Sequence, residues 1–150
     1  MNYRRWNINK INIIIIDSGV NIDHPYLKKD DIFFYDIEND EIIKNNVFMS
    51  DEIGHGTAVF GIIRNESDAN IINIKLSNSE NINEDQLIFI LKRLLNSKIK
   101  IDIINLSLGI NCTDNVEELY NICTQLDKKG IVIVSAFEAL RGFLFLADKM

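Results

Sequence analysis

An α/β fold, with a mostly parallel sheet and helices on both faces in three layers, is what this sequence predicts. Two observations carry the prediction. Short, nearly continuous runs of β-branched residues recur along the chain, the mark of strands buried on both faces of a parallel sheet. Between those runs lie segments whose apolar residues repeat with a helical period. Alternation of strand and helix in this order implies crossovers and an open sheet whose ligands bind beyond the carboxyl ends of the strands.

The first run, Ile11 to Ile16, ends at Asp17. Similar runs are Ile71 to Leu76, Ile101 to Leu108 and Ile131 to Ala136, and Asp31 to Asp36 with Phe33, Phe34 and Tyr35 reads as a shorter strand. Helices are expected over 55–64 (Val59, Ile62, Ile63), 83–97 (Leu87, Ile90, Leu91, Leu94, Leu95) and 114–129 (Val116, Leu119, Ile122, Cys123, Leu126). Asn83 and Asp114 suit the N-cap positions, and Gly130 suits the stop of the last helix. The charge runs Lys28 to Asp31 and Glu38 to Glu41 read as solvated loop faces.

The composition sets outer bounds. At 150 residues the prior is a single domain, able to bury roughly 70% of its unfolded surface. A content of 47% hydrophobic and 25% charged residues is that of a globular chain. The net charge of −6 argues against nucleic acid or an anionic membrane as partner, since both call for a basic field. No apolar run, Ile13 to Ile16 among them, is long enough to span a bilayer. Met1 to Lys10 has neither the apolar core nor the cleavage site of a secretory signal. Cys112 and Cys123 match no metal spacing and make no disulfide framework, so they read as plain thiols of a reducing compartment, the cytoplasm.

Two residues stand out chemically. Asp17 closes a dry strand and is followed by the sharp turn Ser18-Gly19, so its carboxylate is desolvated and needs a partner. Taken alone it reads as a loop acid or helix cap, as a catalytic carboxylate, or as the aspartate of a Mg²⁺-dependent phosphoryl transfer. The last chemistry usually has a further acid two residues on, where this chain has Gly19. His55 opens a helix within Gly54-His55-Gly56-Thr57-Ala58-Val59-Phe60-Gly61. A histidine at a helix start is often structural. It is also where the helix dipole favours neutral imidazole, the form a general base needs.

Together, Asp17-Ser18-Gly19-Val20 after four isoleucines, His24-Pro25, and Gly54-His55-Gly56-Thr57-Ala58-Val59 resemble the subtilisin-like serine peptidases, or subtilases. Both motifs of that family match, D-[ST]-G at a strand end and H-G-T-x-V-x-G at a helix start. Asn105-Leu106-Ser107-Leu108-Gly109 resembles its substrate-binding strand, and the run after Gly130 resembles the strand leading to its oxyanion site. The resemblance implies a subtilisin-like fold and peptide-bond hydrolysis in which Asp17 orients His55 and His55 takes the proton of a nucleophilic serine. Ser107, Leu108 and Gly109 would line a groove that holds peptide as an added strand. No cofactor is implied for the chemistry. A structural calcium is left open by the family, without a ligand set here that assigns it.

The same resemblance exposes departures. It covers residues 11–137, about the first half of a family catalytic domain, with 1–10 as an N-terminal extension and 138–150 as a tail unlike the family. None of the serines has glycine two positions before it, as the family's G-T-S nucleophile does. Phe137-Glu138-Ala139 stands where an asparagine amide donates to the oxyanion, and loss of such a donor costs about 10²–10³ in rate. Loss of the nucleophile costs about 10⁶, as measured in subtilisin itself. Ala58 replaces a frequent histidine and Phe60 a small residue that faces the sheet.

The expectation is therefore a truncated subtilase, inactive alone on peptide or protein substrates. The other readings are a non-catalytic peptide-binding remnant and a half-domain completed by a separate C-terminal half. A sheet that stops after residue 136 leaves an edge prone to aggregation.

Overall fold

Four isoleucines in succession favour extended backbone and suit a strand that is dry on both sides. The computed structural model of the chain describes residues 9–25, 27, 32–38, 41–44, 50–76, 84–107 and 115–135, and that isoleucine run forms its central strand β1 (Asn12–Asp17), buried throughout. The chain continues through β2 (Ile32–Glu38), β3 (Glu41–Lys44), α1 (His55–Glu66), β4 (Asn70–Lys75), α2 (Glu84–Leu95), β5 (Ile103–Leu106), α3 (Val116–Lys128) and β6 (Val132–Ser135).

These strands form one sheet in the order β3-β2-β4-β1-β5-β6. All neighbouring pairs are parallel except β2 with β3. The β4–α2–β5 connection passes across β1, so the chain leaves β1 towards one edge of the sheet and β5 towards the other. The crevice at such a switch point, beyond the strands' carboxyl ends, is where α/β sheets place their sites.

Alternate isoleucines of β1 serve opposite layers. Ile13 and Ile15 pack with Val20, Leu27, Phe60, Ala69 and Ile71 beneath α1. Ile14 and Ile16 join Ile72, Ile74, Ile104 and the inner faces of α2 and α3, including Leu87, Leu91, Leu119 and Leu126. The three-layer α/β architecture is thus present. At the opposite end of the sheet from Asp17, polar groups tie the strands together. Asn70 Nδ2 donates to Asn12 Oδ1 (2.7 Å), Asn12 Nδ2 to Lys100 O (2.9 Å), and Asn12 N to Asp102 Oδ2 (2.9 Å).

Several local expectations change. Glu38 and Glu41 are not loop residues: they pair in register where β2 meets β3, a short antiparallel strand whose four residues carry too little pattern to be read alone. Ile62 is 66% exposed, and the buried stripe of α1 runs through Gly56, Thr57 and Phe60 instead. Phe60 finds full burial against the sheet. The last helix starts at Val116 with Asn115 at its N-cap, not Asp114, and ends before Gly130 (φ 80°) as expected. Asn83, Cys112, Leu108, Gly109, Lys28 to Asp31 and residues 136–150 lie outside the described residues. No helix among the described residues is long and apolar enough to cross a membrane. Cys123 is a free thiol on α3, and its burial pushes its pKa up to about 11.

Asn73 is the exception within the core. It is fully buried in β4, on the α1 side beside Ile15, and neither its amide nitrogen nor its carbonyl oxygen has a hydrogen-bond partner among the described residues. An unmet buried amide costs about 1–3 kcal/mol. Asn73→Val is therefore expected to raise the urea midpoint at an unchanged m-value, by an amount equivalent to about 1–2 kcal/mol. A lower midpoint would show that the amide does have a partner in solution.

Candidate active site

The site begins at the carboxyl end of β1. Asp17 is fully buried, and the chain turns immediately through Ser18 and Gly19. Gly19 has φ 119°, and a Cβ there would lie 2.7 Å from the Ser50 carbonyl oxygen, so only glycine fits the turn. Lys75, paired with Asp17 from the end of β4, fixes the same crossing by donating from Nζ to Ser50 O (2.5 Å).

The first turn of α1 descends onto this turn. A Cβ at Gly56 would meet the Gly19 carbonyl oxygen at 2.2 Å and Asp17 Oδ1 at 3.1 Å. The missing side chain lets the two backbones touch, and the preceding residue, His55, then reaches the buried carboxylate. His55 Nδ1 lies 2.8 Å from Asp17 Oδ1. A carboxylate only accepts, so Nδ1 carries the proton and Nε2 is left as an acceptor. The imidazole is 47% exposed, which leaves it open to a reacting group while its inner edge is held. Asp17 Oδ1 also accepts from Ser18 N (2.7 Å), and Oδ2 has no hydrogen-bond partner among the described residues.

β5 supplies the neighbouring wall. Its last registered pairing with β1 joins Ile15 to Asn105, and two residues further along each strand come Asp17 and Ser107. Asn105 Nδ2 donates to Ser107 Oγ (2.8 Å). The structure therefore brings Asp17 and His55 into contact and places Ser107 at the adjacent strand end. Leu108 and Gly109 fall outside the described residues.

Sequence reasoning passed over Asp51. Oδ1 of this residue accepts from Ser18 Oγ (2.8 Å) and Gly54 N (2.9 Å), and Oδ2 from Thr57 N (2.8 Å) and Thr57 Oγ1 (2.5 Å). It thereby caps α1 from outside, in place of a side chain at the N-cap itself, Gly54. An acid shortly before a helix opened by glycine was the available signal, but the conventional capping position was occupied by Gly54. Burial pushes the Asp51 carboxyl up, and the bonds from Thr57, Ser18 and Gly54 outweigh it and hold the pKa below the ordinary aspartate value. Asp102, held by the Asn12 amide against a smaller burial cost and helped by Lys100, is lowered as well. Among the described residues no group of three or more His, Cys, Asp or Glu side chains is arranged to hold a metal ion.

Two predictions follow from this geometry. Gly56→Ala forces the two turns apart. It is expected to cost about 3 kcal/mol or more and to break the His55–Asp17 contact, seen as loss of the hydrogen-bonded Nδ1–H proton resonance. The second concerns pH. Both Asp51 and Asp102 have folded pKa values below their unfolded ones, so their contribution is complete above the unfolded value near 4 and is lost as pH falls through the folded values. In urea titrations, Asp51→Asn and Asp102→Asn should lower the midpoint at pH 6 and converge towards the parent near pH 2. A deficit independent of pH would contradict the assignment.

A comparison with curated proteins finds no match. The subtilase family model (peptidase S8) matches residues 9–137, the span that holds β1, the glycine-framed histidine and all six strands. By that match, the chain belongs to the subtilase family of serine peptidases.

Proposed function

We propose that Asp17 and His55 are the acid–base half of a peptide-hydrolysing centre. The observation that carries this reading is the 2.8 Å contact between a fully buried carboxylate and a half-exposed imidazole at the sheet's switch point. In that role the carboxylate holds the ring by Nδ1 and stabilises the imidazolium, while Nε2 accepts the nucleophile's proton and later returns it to the leaving amine. Ser107, with Leu108 and Gly109 beyond it, holds the substrate peptide by backbone pairing at the end of β5. The chemistry needs no cofactor. The free thiol of Cys123 supports work in the cytoplasm.

The nucleophile is the element this reading has to find elsewhere, since no serine of the chain follows the Gly-x-Ser pattern. We assign it to a complementing C-terminal half of the domain. Support comes from β6, where Val132 and Val134 are 56% and 48% exposed on the face shared with Ile103, which packs into the α1-side core. That apolar strip lies on the same side of the sheet as α1 and fits a further covering element. The second reading, favoured by the same missing serine, is a peptide-binding remnant without catalysis.

A fluorophosphonate probe separates the two. The chain alone is expected to remain unlabelled. Mixed with a polypeptide that carries the family's G-T-S segment, it should become labelled, and Asp17→Asn should slow that labelling by about 10⁴. Peptide binding without labelling in any mixture would establish the remnant instead.

A further inference from the structure

Asp51 takes no part in the proton transfer described above, yet it is the most heavily bonded acid around His55. The consequence lies in Ser18. Its Oγ stands between two carboxylates, 2.8 Å from Asp51 Oδ1 and 3.3 Å from Asp17 Oδ1, and it accepts from Gly56 N at 3.1 Å. A serine hydroxyl has one proton to give. The shorter contact assigns that proton to Asp51.

We propose that Asp51 is a positioning residue for the Asp17–His55 pair, which it serves by holding the Ser18 hydroxyl proton away from Asp17 Oδ1. That oxygen already accepts from Ser18 N and from His55 Nδ1. A further donor on it would stabilise the carboxylate by itself and weaken its hold on a protonated imidazole. By drawing the hydroxyl outward, Asp51 also turns a Ser18 lone pair towards Gly56 N, so one rotor both caps the helix and spares the carboxylate. The inference rests on the reading of Asp17 and His55 as an acid–base pair. Among the described residues, the other titratable groups near the network are Glu52, beside Asp51 in the chain, His24, which lines the same cavity as Asp51, and Lys75, which donates to Ser50 O at the end of β4.

The test follows the His55 ring by ¹H–¹⁵N NMR through a pH titration of the intact chain. Ser18→Ala should leave the proton affinity of His55 within about twofold, because the hydroxyl it removes gives its proton to Asp51. Asp51→Asn should lower that affinity about tenfold, since a neutral amide is a poorer acceptor than a carboxylate and the hydroxyl then turns to Asp17. Adding Ser18→Ala to Asp51→Asn should recover most of the loss, and what remains is the through-space effect of the missing charge. Thr57→Val, which removes a donor from Asp51 and an acceptor for Asn21 N, should lower stability while leaving the His55 titration in place. An equal loss on Asp51→Asn in both backgrounds overturns the proposal. So does a rise or fall beyond twofold on Ser18→Ala alone, and this arm decides the matter if Asp51→Asn does not fold. No substrate enters the measurement. A failure here leaves the peptidase reading standing, and a chain that never hydrolyses peptide leaves these shifts unchanged.

Discussion

Two backbone turns have to touch for this site to exist, and the contact tolerates no side chain. The Gly19 carbonyl lies where a Cβ of residue 56 would be, and the Ser50 carbonyl lies close to where a Cβ of residue 19 would be. Those approaches bring the start of α1 down over the end of β1. A buried carboxylate is costly to keep without partners: the approach brings the His55 ring to it, and the turn itself supplies the Ser18 amide. The glycines of the two motifs therefore have a mechanical reason, independent of any role in chemistry.

The sheet determines what that contact faces. Because the chain leaves β1 and β5 in opposite directions, the strand order has its switch point beyond their carboxyl ends. Asp17 and Ser107 follow one another across adjacent strands at that point. The far end of β1 is closed differently, by amide and carboxylate side chains of Asn12, Asn70 and Asp102 that hold the strands in register. The site thus sits on strand termini at one end while side-chain bonds hold the register at the other.

Much of this was legible in the residues. Unbroken β-branched runs announce dry parallel strands because no polar face interrupts them, so β1, β4, β5 and β6 could be placed to within a few residues. The helical period gave α2 and α3, whose inward stripes of leucine and isoleucine are long enough to average out exceptions. α1 was less clear. Ile62 looked inward by spacing, but the glycines let this helix lie so close that its contact stripe runs through Gly56 and Phe60. β3 was invisible because its stability comes from pairing with β2, a partner the local sequence does not reveal. The Asp17–His55 pair was found through its motifs, whereas Asp51 was missed because its importance lies in four donors gathered from three residues, one of them distant in the chain.

In the role proposed for Asp17, a carboxylate that steadies an imidazolium has to keep its negative charge available, and that limits how many other donors it accepts. Asp17 meets the limit unevenly: Oδ1 takes the ring and one backbone amide, while Oδ2 is buried with no donor among the described residues. An unmet buried acceptor weakens the fold, so it persists only where surrounding packing holds it in place. Here β1 is buried along its whole length and the glycine contact closes the turn behind its last residue. The nearby Ser18 hydroxyl faces the other oxygen, Oδ1, and is shared with a second carboxylate on the helix side. Burial, the glycine approach and the competing acid thus act in one direction, towards an aspartate that is held firmly and bonded sparingly.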